Sequence, residues 1–288
     1  MEKTQTPKDE NAILGAVKGA IIAIGAVLPG ISGGALCVIL GIYKRIMALL
    51  VHPFVEIKKQ WKFFVPVGIG FVVGTLLSSK VIGALLETAE TAALFLFIGL
   101  ILGTLPSLLK EARQEGVTTG SYIAMFVAMA AMLAWMIPMA SQGIAAITPS
   151  FVWWCICGVL WGLGIVVPGM SPSNIFLFLG LATPMYAAIG NLDMSVILPM
   201  GFCLLATVLL LSRGVDYCLR KQYSIFMHAV IGIVLASTIM IVPPIKQLIE
   251  PAYTFSTSFV DILTYIGCFA VGALCAWLLG KIQKPEEK

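Results

Sequence analysis

Pro29-Gly30-Ile31-Ser32-Gly33-Gly34 interrupts an apolar run that otherwise extends from Ile13 to Val51. Its two arms, Ile13–Leu28 and Ala35–Val51, are each shorter than the roughly 20 residues a helix needs to cross a bilayer. Proline and glycine stop the helix at the break and leave backbone N–H and C=O groups without helical partners. In hydrocarbon each such group costs several kcal/mol, so a break at depth is covered by protein or faces water. The helix that restarts there offers unpaired N–H groups and about half a unit of positive charge. The stretch therefore predicts an anion site inside a membrane.

The stretch also recurs. A shift of 139 positions superposes Gly19 on Gly158, Gly25 on Gly164, Pro29-Gly30 on Pro168-Gly169, Ser32 on Ser171 and Gly41 on Gly180. A shift of 133 brings Pro66 onto Pro199, Gly68 onto Gly201, Ser79-Lys80 onto Ser212-Arg213 and Gly99 onto Gly232. Ala134-Trp135 resembles Ala276-Trp277 in the same way. Single matches are cheap, but an ordered series points to two homologous halves. Repeats of this kind place transport sites where broken helices meet.

Composition fixes the class. With 59% hydrophobic and 11% charged residues, the chain reads as a polytopic membrane protein. Met1–Asn11 is polar and lacks the basic start and apolar core of a signal peptide. The seven cysteines lie almost all in apolar segments, and the Cys155-x-Cys157 spacing does not suit zinc. They read as small packing residues. The slight excess of basic residues belongs to loops rather than to a nucleic-acid surface.

Each half holds five apolar segments. These are Ile13–Leu28, Ala35–Val51, Phe63–Ser79, Ala92–Leu109 and Tyr122–Ala140, then Phe151–Val167, Ile175–Ile189, Val196–Ser212, Ile225–Val242 and Ile262–Leu279. A half crosses three times if its first two segments form a hairpin, and five times if every segment spans. Both counts are odd, so the halves face opposite ways. With the N-terminus in the cytoplasm, all 18 Lys and Arg except Lys80 and Lys246 fall on the cytoplasmic side, as the positive-inside rule requires.

The expected fold is all-α and integral to the membrane, an inverted structural repeat whose halves each combine a re-entrant broken hairpin with three transmembrane helices. A cytoplasmic tail, 1–12, precedes repeat 1, 13–140. An uncharged extracytoplasmic linker, 141–150, leads to repeat 2, 151–280, and a cytoplasmic tail, 281–288. Trp61, Trp153, Trp154 and Tyr217 lie near segment ends and read as interfacial anchors.

Enzyme chemistry finds no support. The histidines are His52 and His228, without paired partners, and neither Ser32 nor Ser171 has a base nearby in sequence. No HExxH, Walker loop or dinucleotide fingerprint occurs. No catalytic residue, metal centre or cofactor is expected. No carboxylate sits mid-segment, which argues against a cation as cargo. Glu87 and Glu90, near the outer interface, read as solvated loop charges, with proton acceptors as the alternative.

The candidate anion cradle comprises Pro29, Gly30, Ser32, Gly33 and Gly34 with Pro168, Gly169, Ser171, Ser173 and Asn174. Isolated glycines serve close helix packing, but a duplicated PG-x-S at two breaks favours a nest of N–H groups and short donors. A phosphate carries about −1.5 to −2 charges at neutral pH. Helix N-termini contribute only about 0.3–2 kcal/mol each, well short of the desolvation cost. Lys18, Arg45, Lys80 and Arg213 are the candidate charge partners, with water in the cavity as a further source. Lys18 either snorkels to the interface or holds an anion near the first hairpin. Lys80 and Arg213 are read as ending symmetry-matched helices.

Lys18-Gly19, Pro29-Gly30-Ile31-Ser32-Gly33-Gly34 and Gly41-Ile42-Tyr43 resemble the signature of the bacterial polyprenyl-phosphate transporters, a family long catalogued as a domain of unknown function. Pro168-Gly169-Met170-Ser171 and Gly180 resemble its second motif, and the likeness covers nearly the whole chain. It implies a multi-pass protein of the bacterial cytoplasmic membrane that returns undecaprenyl phosphate from the outer to the inner leaflet. The second tip departs from the pattern, with Ser171-Pro172-Ser173-Asn174 where many members keep a glycine after the serine. A secondary transporter of a small soluble anion and a non-transporting envelope scaffold remain the alternatives. A homo-oligomer is compatible with the sequence.

Overall fold

The computed structural model describes residues 11–31, 33–42, 45–46, 48–49, 53–141, 147–167, 169–249 and 253–282. Among them every regular element is α-helical. Helix α1 (Ala12–Val27) starts at Asn11, whose side chain accepts the Ile13 N–H at 3.0 Å. It stops at Leu28, which turns extended ahead of Pro29. Helix α2 (Gly33–Ile39) follows the break. Helix α3 (Pro53–Ala112) is 60 residues long, and α4 (Thr119–Ser141) closes the first half.

The second half repeats the pattern. Helix α5 (Phe151–Val166) ends at an extended Val167, and α6 (Ser173–Phe178) and α7 (Ala182–Gly190) follow. Helix α8 (Met194–Ile241) leads through the short α9 (Pro243–Ile249) to α10 (Phe259–Ile282). Side-chain caps set several starts. Asp193 accepts the Ser195 N–H at 2.9 Å before α8, and Ser258 accepts the Asp261 N–H at 3.2 Å before α10.

Among the described residues, five helical stretches are long and apolar enough to cross a membrane: Val55–Ala112, Thr119–Ala140, Met194–Ser212, Tyr217–Ile241 and Phe259–Lys281. The chain is a multi-pass membrane protein. At 1.5 Å per residue, the 58 residues of Val55–Ala112 make roughly 87 Å of helix, far more than one hydrocarbon thickness. Its backbone leaves helical dihedrals at Ala89 (φ −147°, ψ 50°), so it supplies two crossings. The second half bends likewise at Gln222 (φ −143°, ψ 44°). Ala89 and Gln222 stand 133 positions apart, the offset that aligns the surrounding helices.

Local geometry follows the same offsets. Leu28 and Val167, 139 apart, are the matched extended caps. Gly41 (φ +70°) and Gly180 (φ +68°) are left-handed. Before each, one carbonyl accepts from five residues ahead: Cys37 from Ile42 at 2.9 Å and Phe176 from Leu181 at 3.0 Å. This is the Schellman closure, and it needs a residue that tolerates positive φ. Both second arms, Ala35–Val51 and Ile175–Ile189, are consequently broken again rather than continuous.

The sequence placed helix ends at Lys80 and Arg213. That expectation is corrected, since α3 runs through Lys80 to its corner and α8 runs through Arg213 to Gln222. Charge inside an apolar run marks where a helix leaves hydrocarbon, not where its hydrogen-bond ladder stops. Glu87 and Glu90 are helical rather than loop residues, and Glu90 pairs with Lys246. Trp154 is not an interfacial anchor, because it is buried in the core. Cys37 and Cys157 are buried as expected, whereas Cys218 and Cys275 are exposed.

The helices pack through matched small residues. A Cβ on Gly19 would collide with the Val67 carbonyl of α3, and one on Gly158 with the Met200 carbonyl of α8. A Cβ on Gly99 would collide with the Phe269 carbonyl of α10, and one on Gly232 with the Met125 carbonyl of α4. The halves thus exchange their last helices. Helix α4 packs on the end of α8 and α10 on the end of α3. Gly19→Val and Gly158→Val are expected to cost nearly the same, about 3 kcal/mol each, at the top of the usual overpacking range. Unfolding of the purified proteins in a denaturing detergent titration measures both.

Candidate functional site

The two breaks meet. Val27, the last residue of α1, ends in a carbonyl without a helical partner, as do the last four of any helix. Two hydroxyls from the second half reach it. Tyr186 of α7 donates at 3.0 Å, and Ser173 in the first turn of α6 donates at 3.4 Å. All three residues are fully or almost fully buried. A chain end that would cost several kcal/mol in lipid is satisfied by the opposite half.

Both tips also rest on the final segment of α3. Gly30 (φ +82°) presses on the Ile101 backbone, where a Cβ would stand 2.6 Å from the amide nitrogen. Gly169 (φ +74°) faces Leu108, with a Cβ at 2.5 Å from Cδ2, and Met227 of α8. Ile101 and Leu108 lie two turns apart on one face, about 10 Å along the axis. Between them stands Pro106, which lacks an N–H for the Leu102 carbonyl.

Of the predicted cradle, Pro29, Gly30, Gly33, Gly34, Gly169, Ser171, Ser173 and Asn174 are described, while Ser32 and Pro168 lie outside the described residues. Pro29 is buried and Ser171 half-buried at the second break. Gly33 and Gly34 open α2, so their N–H groups belong to its unpaired first turn. Pro172 caps α6, and its carbonyl accepts from Ile175 at 2.9 Å and Phe176 at 3.1 Å. Asn174 points its amide nitrogen at Ser237 Oγ (3.4 Å) and Thr238 Oγ1 (3.5 Å) of α8.

Three of the four candidate cations have described side chains. Lys18 sits nine residues before Val27, about 13 Å down α1, and is half-buried. The Arg45 guanidinium stacks 4.5 Å above the Phe63 ring. Lys80 is exposed and lies along Gly190, the last residue of α7. The side chain of Arg213 is outside the described residues. The contacts that join the two breaks are those of Ser173 and Tyr186 with the Val27 carbonyl.

Several participants carried no mark in the sequence. Tyr186 reads as one more aromatic in an apolar segment, and Ser237-Thr238 as ordinary helix residues. His228, adjacent to Met227, is wholly buried, with Nδ1 2.7 Å from the Ser224 carbonyl, so that nitrogen carries the hydrogen. Ser224 Oγ in turn lies 3.0 Å from Ser121 Oγ of α4. Polar residues spaced four apart within an otherwise apolar span are the only signal such a chain leaves.

Known proteins resemble this chain over most of its length. A sequence profile described as undecaprenyl phosphate translocase-like matches residues 1–112 and 51–259. The chain is similar to a Staphylococcus aureus protein named polyprenyl-phosphate transporter, 24% identical over 294 residues that cover 94% of this chain and 97% of the relative. A Vibrio cholerae protein of the same name is 22% identical over 242 residues, covering 77% of this chain and 74% of the relative. No solved structure matches significantly. On the reach of that profile, the chain belongs to the undecaprenyl phosphate translocase-like family.

Proposed function

We propose that the chain carries undecaprenyl phosphate across the bacterial cytoplasmic membrane, returning it from the outer to the inner leaflet, with the phosphate received where the two breaks meet. The observation that carries this reading is the bond from Ser173 of one tip to the Val27 carbonyl of the other. It joins the end of α1 to the first turn of α6, both buried, which supports a single shared site.

The physical task suits that arrangement. Each buried CH₂ is worth about 0.8 kcal/mol, so a long prenyl tail stays in hydrocarbon and only the headgroup needs escort. Both hairpins are re-entrant in this reading, entering from opposite faces as halves of an inverted repeat, with N- and C-termini cytoplasmic. The distribution of Lys and Arg supports that orientation. The names of the two relatives support the substrate.

The test is leaflet exchange in proteoliposomes. Purified protein is expected to flip a fluorescent polyprenyl phosphate, and joint replacement of Ser32 and Ser171 by alanine to slow it at least tenfold. That is about 1.4 kcal/mol, what one bond to a charged group contributes. Uptake of inorganic phosphate without any lipid flipping would instead establish a soluble-anion carrier. A protein that moves neither, yet co-purifies in fixed ratio with an envelope synthase, would be a scaffold.

A further inference from the structure

We propose that His228 is a proton relay, joined to the protein surface by the hydroxyls of Ser224, Ser121 and Thr118, and that transport is linked to it. The imidazole is wholly buried, and its Nε2 has no hydrogen-bond partner. Nδ1 donates to the Ser224 carbonyl at 2.7 Å, so Nε2 of the neutral ring holds a bare lone pair. A buried acceptor left unpaired is costly, and packing does not account for it. Phe95 stands 133 positions earlier, the offset that aligns Gly99 with Gly232. It stacks on Tyr265 of α10, ring centroids 5.0 Å apart. In the second half the facing pair is His228 and Tyr122 of α4, at 5.6 Å. A hydrocarbon ring serves the crossing in one half, so the crossing itself has no need of a titratable one. An ionisable group kept inside a membrane protein marks proton or ion traffic by default.

A row of hydroxyls leads from the ring to the surface. Ser224 Oγ lies 3.4 Å from Nδ1 and 3.0 Å from Ser121 Oγ, which lies 3.3 Å from Thr118 Oγ1. Ser121 and Ser224 are buried, whereas Thr118, just before α4, is exposed. Each hydroxyl both donates and accepts, so the row passes a proton by exchanging hydrogens between neighbours. A proton bonds to the Nε2 lone pair and gives imidazolium. The Nδ1 hydrogen then goes to Ser224 Oγ. That hydroxyl's own hydrogen passes to Ser121 Oγ, and that of Ser121 to Thr118 Oγ1, which gives one up to water. The ring is left neutral with its hydrogen on Nε2, and uptake reverses the steps.

Nothing around the ring fixes a charge on it. Helix α4 carries no charged residue, and Tyr122 is its titratable group here. On α3 the titratable groups at this level are exposed Lys110 and half-buried Glu111, which accepts from Tyr223 at 3.3 Å. Arg113 and Glu115 follow in the turn towards α4, and Arg220 and Lys221 precede Tyr223 on α8; all four are exposed. Among the described residues no carboxylate bonds to the imidazole. Imidazolium there is a passing state rather than a resident charge, as a relay requires. Thr118 is cytoplasmic in the orientation proposed above. The opposite end of the relay lies beside Met227, next in the chain, which faces Gly169 of the second tip. The link to transport rests on the proposed function; the relay does not.

The relay is tested first without lipid. The Nδ1 hydrogen of His228 is followed by nitrogen-15 spectroscopy as the purified full chain is moved into heavy water, with His52→Gln clearing the second histidine signal. Despite complete burial it is expected to exchange faster than the backbone amides around it in α8. Ser121→Ala and Ser224→Ala each break the row, and each is expected to slow the exchange about tenfold, or about 1.4 kcal/mol on the barrier. If one of them fails to fold, the other carries the comparison. A hydrogen as protected as those amides, or one that exchanges equally fast in the serine variants, would overturn the relay. His228→Phe reproduces the pairing of the first half and is expected to keep the fold. Flipping of polyprenyl phosphate is then measured while the pH on the Thr118 side is stepped between about 5 and 8. The wild-type rate is expected to change about tenfold and that of His228→Phe to stay flat. Equal pH profiles would remove His228 from transport and overturn that half of the proposal. Exchange along the row with no flipping at any pH would keep the relay and sink the lipid reading.

Discussion

Gly30→Val is expected to destabilise the protein by about 2–5 kcal/mol and to abolish transport. Two costs combine. The backbone at Gly30 is left-handed, with φ +82°, a conformation that costs an L-residue about 1–2 kcal/mol. The new Cβ would also stand 2.6 Å from the Ile101 nitrogen. The obstacle is main chain, so no rotamer change relieves it, and overpacking adds about 1–3 kcal/mol. Gly201→Ala is the natural control, since nothing lies within 4 Å of a Cβ there. Mid-helix and unobstructed, it is expected to stabilise slightly, by up to about 1 kcal/mol. Denaturation of the three proteins in parallel distinguishes a strained tip from general intolerance of larger residues.

The second large effect concerns the Val27 carbonyl. Tyr186→Phe removes its 3.0 Å donor and Ser173→Ala its 3.4 Å donor. Either alone leaves the carbonyl one partner, and each is expected to cost about 1 kcal/mol or less. Both together orphan a buried acceptor, at about 1–3 kcal/mol for the desolvated group alone. The pair is therefore expected to be worse than additive by about 1 kcal/mol, in a double-mutant cycle on unfolding. Strict additivity would mean that water reaches the end of α1. The double variant is also expected to lose flipping more steeply than stability, because its target is the junction of the tips.

Much of this was legible in the sequence for a specific reason. Proline and glycine act on the backbone itself, so Pro29-Gly30, Pro168-Gly169, Gly41 and Gly180 announced the breaks and their pairing directly. The corners at Ala89 and Gln222 were not legible, since neither residue is a helix breaker. Lys80 and Arg213 misled because a charge marks the edge of hydrocarbon, while a helix continues into headgroups wherever its own ladder is intact. Tyr186, Ser237 and Thr238 were invisible for a third reason. A hydroxyl in an apolar helix commonly bonds back to its own turn, as Thr238 does to Val234, and only the folded arrangement shows what its lone pairs face. Arg45 was legible as a charge but not as the partner of the Phe63 ring, because a long side chain can reach many positions.

The exchange of closing helices has a consequence for biogenesis. The face of α3 around Gly99 is covered by α10, which is synthesised well after α3. Until then that groove is open to lipid inside the translocation machinery, and the first half has no finished fold to adopt. Synthesis of the N-terminal half by itself is expected to yield a substrate for membrane proteases, rescued when the C-terminal half is supplied as a separate polypeptide.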